Sequence, residues 1–365
     1  MNYVGTARPI HDAKGKATGY TKYAGDLSLP NMAYLCMLHS KIPHGYVKAV
    51  HAEKALALPG VYGVYHCLNT SDRKYNRYRS SFNQAYLANE ERAFNQYVRF
   101  VGDKIGVVAA CDQETAERAA RLVEVEYEEL PFSIGFDDTL AGKNCLEGET
   151  PVRDEYTLEV GKKQESTEGL IEVCSTMELP RLHHATMETH ACIADYDPYS
   201  DMLTVYCPNQ AVHGIRTVLA DFLEMPESHV RVVKATMGGS FGAKQEWFLE
   251  PVTALVAKKL CRPVKLVYSR GEAMTDTIVR GAMRMSTRGY YTPDGEMKKI
   301  YCDVTLDAGA YIGNAGDYVR ALAGKPTRCY RIPYMHYHGQ VISSNSPVSG
   351  AFRSWSAAEG ALVVG

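Results

Sequence analysis

Apolar and charged residues alternate strictly along VEVEY (123–127), a period of two that predicts a strand with one buried and one wet face. Short apolar runs at 32–40 (MAYLCMLHS), 60–68 (GVYGVYHCL) and 104–111 (KIGVVAAC) also read as strands. Between them QETAERAA (113–120) reads as a helix, with Asp112 placed to cap it. Residues 1–135 therefore read as one α+β unit. From Ile171 the elements lengthen. IEVCSTMEL (171–179), ACIADYD (191–197), HVRVVKAT (229–236) and AYIGN (310–314) read as strands. In VHGIRTVLADFL (212–223), Val212, Ile215, Leu219 and Phe222 fall on one helical face. A further helix is predicted to begin near Pro251, since proline suits a first turn.

Two stretches lack such periodicity. Residues 71–96 interleave Tyr, Asn and Arg, a mixture that can bind nucleic acid but reads here as a solvated insertion. Residues 136–170 are rich in Gly, Glu, Lys and Thr and read as a linker, leaving 171–365 as a second unit.

The 365 residues carry a formal charge of −2 at pH 7, with 45% hydrophobic and 22% charged residues. That balance gives no global attraction to nucleic acid or to an anionic membrane. No apolar run approaches the roughly 18–20 residues that span a bilayer, and the start has no apolar signal core, so the cytoplasm is the expected location. None of the ten cysteines forms a C-x-x-C pair, so no iron–sulfur or zinc motif is read in this chain, and the thiols are expected to be buried and reduced.

The candidate chemistry begins at MGGSFGAKQEWF (237–248), directly after the 229–236 strand. Lys244 is followed by Gln245, where a Walker loop needs Ser or Thr. Gly238, Gly239 and Gly242 miss the G-x-G-x-x-G spacing of dinucleotide sites. Nucleotide binding is thus a weak alternative. Consecutive glycines can still bring backbone N–H groups close to one ligand. Two other segments add to the loop: CPNQ (207–210), ending in Gln210, and GAFRSWSAAEG (350–360), containing Arg353.

These three segments, in this order, resemble the molybdenum-binding large subunit of the xanthine oxidase/aldehyde oxidase family of molybdenum hydroxylases. The resemblance extends over nearly the whole chain. DAKGKATGYTKYAGDL (12–27), ALPGVYGV (57–64), VGDKIGVVAA (101–110) and VEVEYEELP (123–131) are similar to the family's small α/β hammerhead domain. HHATMETHACIADYD, CPNQ, MGGSFGAK, RPVKLVYSRGE, DAGAY and AFR are similar to the first part of its mixed α+β molybdopterin-binding domain.

The resemblance implies roles. Gln210 matches the glutamine that hydrogen-bonds an oxygen ligand of molybdenum. Phe241 and Gly242 match the pair lying beside the metal's oxo group, with Gly238 and Gly239 closing the loop on the pterin. Arg353 matches the arginine that contacts substrate, and Gln245 stands where xanthine-oxidising members carry Glu. An amide can only hydrogen-bond, so purine specificity is not expected to carry over. Ser354, where the carbon monoxide dehydrogenase branch has a copper-binding Cys, argues against that branch, and no residue here is expected to bind the metal directly. The implied cofactor is molybdenum-molybdopterin, expected as the cytosine dinucleotide form, with 2Fe-2S and FAD on partner chains. The family's catalytic glutamate lies well beyond the arginine motif, and this sequence ends twelve residues after Arg353. The expectation is that the chain works with a C-terminal half, an iron–sulfur subunit and a FAD subunit, and is inactive alone. A non-catalytic assembly module that keeps the fold is the alternative.

Other residues have blander readings. His183, His184, Glu188 and His190 contain metal-ligand chemistry but read as structural packing. His336 and His338 share one face of a predicted strand and read as surface or core packing. Lys244 reads equally as a phosphate or pterin contact and as a solvated lysine, and Glu359 as a helix-surface charge.

Overall fold

The structure is a computed structural model that describes residues 4–78, 89–143, 146, 148, 150–163 and 166–363. Seven strands form the largest sheet: Ala33–His39 (β1), Val61–His66 (β3), Lys104–Ala110 (β7), Ala191–Asp197 (β11), Met202–Cys207 (β12), Val230–Lys234 (β13) and Val264–Val267 (β14). Their order is β13-β12-β11-β14-β1-β7-β3. Because β1 lies parallel to β14 and antiparallel to β7, stretches before residue 135 and after 171 build one sheet and share one core. Helices Val212–Leu223 (α5) and Glu250–Leu260 (α6) bury Ile215, Leu219, Phe222, Val252 and Val256 in that core. Both follow their periodicity, and Pro251 sits in the first turn of α6.

A second sheet has five strands, Val152–Gly161 (β9), Ile171–Leu179 (β10), Met283–Tyr291 (β15), Met297–Asp307 (β16) and Tyr334–Ile342 (β17), in the order β10-β15-β16-β17-β9. Ala315–Ala323 (α8) packs on it through Tyr318, Val319 and Leu322. Residues 136–170, expected as a linker, instead carry the short helix Phe136–Leu140 (α4) and β9. Tyr156, Leu158 and Val160 alternate along β9 and reach the second core, which outweighs the polar composition around them.

The remaining strands are short except in one small sheet, where Gly45–His51 (β2) pairs with Tyr97–Val98 (β6) and Glu124–Glu129 (β8). The alternation of VEVEY is realised in β8. Val125 and Tyr127 pack against a core, while Glu126 and Glu128 pair with His51 and Lys48 across the sheet and Glu124 pairs with Lys54 just beyond it. Asp112 caps Gln113–Ala120 (α3), accepting the Thr115 N–H at 2.7 Å. Ala13–Ala17 (α1), Glu53–Leu56 (α2), Arg270–Asp276 (α7), Pro326–Cys329 (α9) and Ala357–Leu362 (α10) complete the helices.

Three expectations are corrected. Of the polar stretch at 71–96, residues 79–88 lie outside the described residues, and the inner parts of its flanks, 75–77 and 93–95, are buried rather than solvated. Lys74–Tyr75 (β4) pairs with Glu91–Arg92 (β5), and Tyr75, Arg77 and Glu91 pack inside. An ion pair between Arg77 and Glu91 makes that burial tolerable. Second, AYIGN is a loop leading into α8; buried Ala310 and Tyr311 give it a strand's composition, but Gly309 and Gly313 take positive φ. Third, Cys192, Cys207 and Cys302 are buried as expected, whereas Cys111, Cys174 and Cys261 are exposed. Cys145 lies outside the described residues. Among those residues no helix is long and apolar enough to cross a membrane.

Candidate functional site

The glycine loop leaves the end of β13 and runs to α6, so its two ends are held by the large sheet and its buried helix. Its backbone is unusual at three positions. Gly239, Phe241 and Gly242 adopt φ of +102°, +54° and +107°. For Gly242 a side chain is excluded twice over, because a Cβ there would also run into the Ala351 carbonyl. Phe241 accepts this conformation while remaining 50% exposed, which puts an aromatic ring on the surface of the loop.

The two other sequence-predicted segments meet this loop. Gln210, just past β12, donates its N–H to Lys244 O at 2.8 Å, and its Oε1 accepts the Ser240 hydroxyl at 2.7 Å. With Oε1 so engaged, the exposed Nε2 is left as a donor. Next to it, Asn209 donates from Nδ2 to Glu246 O at 2.8 Å. From the other side Arg353 donates its N–H to Phe241 O at 2.7 Å. Its side chain is exposed. Gln245 is half-buried at the loop exit, with its N–H on Gly242 O at 3.1 Å. Gln210, Gly238, Gly239, Phe241, Gly242, Gln245 and Arg353 are thus brought to one place.

Distant side chains hold these segments together. Glu188 Oε2 accepts both the Gly238 N–H, at 2.7 Å, and Lys244 Nζ, at 2.6 Å. Lys244 is therefore neither solvated nor free for a ligand; it is 1% exposed and paired, and burial lowers its pKa. His190 Nε2–H donates to Ala243 O at 3.0 Å, and His184 Nε2–H to Ala351 O at 2.8 Å. Burial pulls both imidazoles down to about 4, so each is neutral at pH 7. These histidines pin the glycine loop and the arginine segment, as the packing reading anticipates. Among the described residues no group of His, Cys, Asp and Glu could hold a metal ion.

Around Arg353, Phe352 is flanked by His184, stacked at 4.3 Å, and by the Arg280 guanidinium at 4.3 Å. Arg280 also donates to Arg353 O at 2.8 Å and pairs with Glu359 at 3.0 Å. Glu359, expected as a surface charge, is 0% exposed, because α10 turns it toward Arg280. His336 and His338 lie half-buried on one face of β17, remote in role from the loops.

Sequence reasoning missed Ser240, Asn209, Glu246 and Arg280 as members of this assembly. The adjacent polar pair Asn209–Gln210 is the one local signal that could have pointed to it.

Among the described residues, the N–H groups of Gly239, Ser240, Phe241 and Gly242 donate to no protein acceptor. Four successive free amides suit a ligand bearing oxygen or negative charge. A larger cleft of about 1030 Å³, lined by residues such as Cys36, His39, Tyr127 and Lys265, contains none of the loop residues. The free amides, Gln210 and Arg353 all lie outside that cleft.

Known proteins resemble this chain over most of its length. A family model described as Molybdopterin cofactor-binding domain matches residues 149–364. One described as Aldehyde oxidase and xanthine dehydrogenase, a/b hammerhead domain matches 18–131. The Nicotinate dehydrogenase large molybdopterin subunit of Eubacterium barkeri is 30% identical over 348 residues, covering 94% of this chain and 80% of that protein. The Xanthine dehydrogenase molybdenum-binding subunit of Escherichia coli O157:H7 is 29% identical, covering 95% of this chain. This chain spans 47% of that subunit, about half its length. The fold is shared with the aldehyde oxidoreductase of Desulfovibrio gigas, at a TM-score of 0.90 and 23% identity over 98% of this chain and 40% of that one.

Proposed function

Since the chain belongs to the aldehyde oxidase and xanthine dehydrogenase family of molybdopterin-binding oxidoreductases, we propose that its converged loops form one wall of a molybdopterin site. There an electron-poor C–H, in an N-heterocycle or an aldehyde, is hydroxylated with oxygen from water. The observation that carries this reading is the row of unpaired amides at 239–242, set between Gln210 and the arginine segment.

The residues present fit the group. Gly238 and Gly239 let the loop approach the pterin, Phe241 supplies an apolar wall, and the free N–H groups and Gln210 Nε2 supply donors for oxygen atoms. When bound, the cofactor supplies the two-electron acceptor for the oxidation. Arg353 then binds the substrate heteroatom and stabilises the negative charge that develops on it. Gln245 orients the substrate by hydrogen bonding and cannot move a proton, so the preferred substrate is one that needs no carboxylate at that point.

The base that removes the proton is assigned to a glutamate outside the part of the related subunits that this chain spans. Electrons leave to 2Fe-2S and FAD subunits, the pterin is the cytosine dinucleotide form, and the assembly is cytoplasmic. The test is to purify that assembly from its host, screen N-heterocycles and aldehydes, and run any active substrate in ¹⁸O-water. Label in the product supports the reading. Oxidation without label contradicts the hydroxylation reading, and an assembly inert to the whole screen favours an interaction module that kept the fold.

A further inference from the structure

Glu246 directly follows Gln245 and is 1% exposed, yet among the described residues no ion pair neutralises it. Its main-chain O accepts the Asn209 side chain at 2.8 Å, tying it to the segment that carries Gln210. Its Oε1 accepts from Asn314 Nδ2, at the start of α8, at 3.1 Å. The same oxygen lies where a Cβ on Gly350 would come within 2.5 Å. Gly350 leads into Ala351, Phe352 and Arg353, and the Ala351 amide also acts on the Glu246 carboxyl. Through its main chain and its side chain together, Glu246 therefore joins the glycine loop to the glutamine segment, the start of α8 and the arginine segment.

We propose that Glu246 is the positioning residue that sets the gap between Gln245 and Arg353, and hence the aperture through which substrate enters. The functional half of this statement rests on the reading of Gln245 and Arg353 given above; the geometric half does not. A carboxyl at this point can reach Asn314 and still lie flat against Gly350, and no residue but glycine at 350 leaves room for it. Burial pushes its pKa up to about 8, against the pull of the Arg77 charge and the Ala351 amide, so it is mainly neutral at pH 7. A glutamine of the same shape should then replace it, while an aspartate, one methylene shorter, should not.

The test is hydrogen–deuterium exchange on the full 365-residue chain and on its Glu246→Gln and Glu246→Asp variants. Two amides report the junction directly: Arg353 N–H on Phe241 O, and Gln210 N–H on Lys244 O. In Glu246→Asp both should exchange at least tenfold faster, with β11, β12 and α6 protected as before. Glu246→Gln should stay within threefold of the parent. Unchanged loop exchange in Glu246→Asp overturns the proposal, and so does acceleration spread equally over sheet and loops, or failure of Glu246→Gln to preserve the junction. The readout needs no cofactor, so it can fail or succeed independently of the enzymatic reading.

Discussion

Lys244 Nζ and the Gly238 N–H converge on one oxygen of Glu188, at 2.6 and 2.7 Å, so a single carboxylate closes the two ends of the glycine loop. Lys244 has no access to water, so removing its partner strands a buried charge. Glu188→Ala should cost about 3 kcal/mol, and Glu188→Met combined with Lys244→Met should recover much of that, since replacing both partners removes the unpaired charge. Urea unfolding of the two variants checks it; equal losses in both would show that the loss does not come from a stranded charge.

Gly242→Ala should separate the two loops. The backbone there sits at φ +107°, and the new methyl would press on the Ala351 carbonyl. Left-handed strain alone costs about 1–3 kcal/mol, and the clash adds to it. The expected outcome is a lower melting temperature together with loss of retained molybdenum in the purified assembly.

Arg353 and Arg280 sit side by side but should behave in opposite ways. Arg353 is exposed, so Arg353→Ala should change stability by no more than about 0.5 kcal/mol. In the assembly it should lower kcat/KM by about a hundredfold or more, the usual effect of deleting a donor to developing charge. Arg280→Ala leaves the fully buried Glu359 without its cation and should cost about 3 kcal/mol in stability. Calorimetry on both variants, with kinetics on the first, distinguishes the two roles.

Two groups of side chains give the stability a pH dependence with opposite signs. His184 and His190 are held near 4, below the usual 6.5, so the unfolded chain takes up protons that the folded chain refuses. Their contribution is complete above about pH 6.5 and is lost as pH falls toward 4, by up to roughly 3 kcal/mol each. Glu246, raised to about 8 from 4.5, keeps a proton that the unfolded chain releases. Its contribution is complete below about pH 4.5 and declines as pH rises to 8. Glu246→Gln should therefore gain stability relative to the parent between pH 5 and 8, while His190→Gln should flatten the acid side. Melting curves from pH 4.5 to 8.5 read both.

What the sequence discloses is what is local. The face of α5 at Val212, Ile215, Leu219 and Phe222, the Asp112 cap and the alternation in β8 each lie within a few consecutive residues, and each is found in the structure. The glycine loop, Gln210 and Arg353 are equally local, as short segments with recognisable composition. What fastens them is not. Glu188 and Lys244 are 56 residues apart, His184 reaches a carbonyl 167 residues away, and Glu359 looks like a surface charge until the fold brings Arg280 against it. Strand β9 is hidden for a related reason. Its three apolar positions are few, and their partners on β17 and α8 lie more than 150 residues later.

The central claim is that the loops hold a molybdenum cofactor, and metal analysis of the assembly that co-purifies with this chain from its native host tests it most directly. The account predicts about one molybdenum per chain, with iron and flavin on partner subunits, and loss of the molybdenum in Gly242→Ala. Iron and flavin without molybdenum in the parent assembly, or molybdenum retained in full by Gly242→Ala, would contradict it.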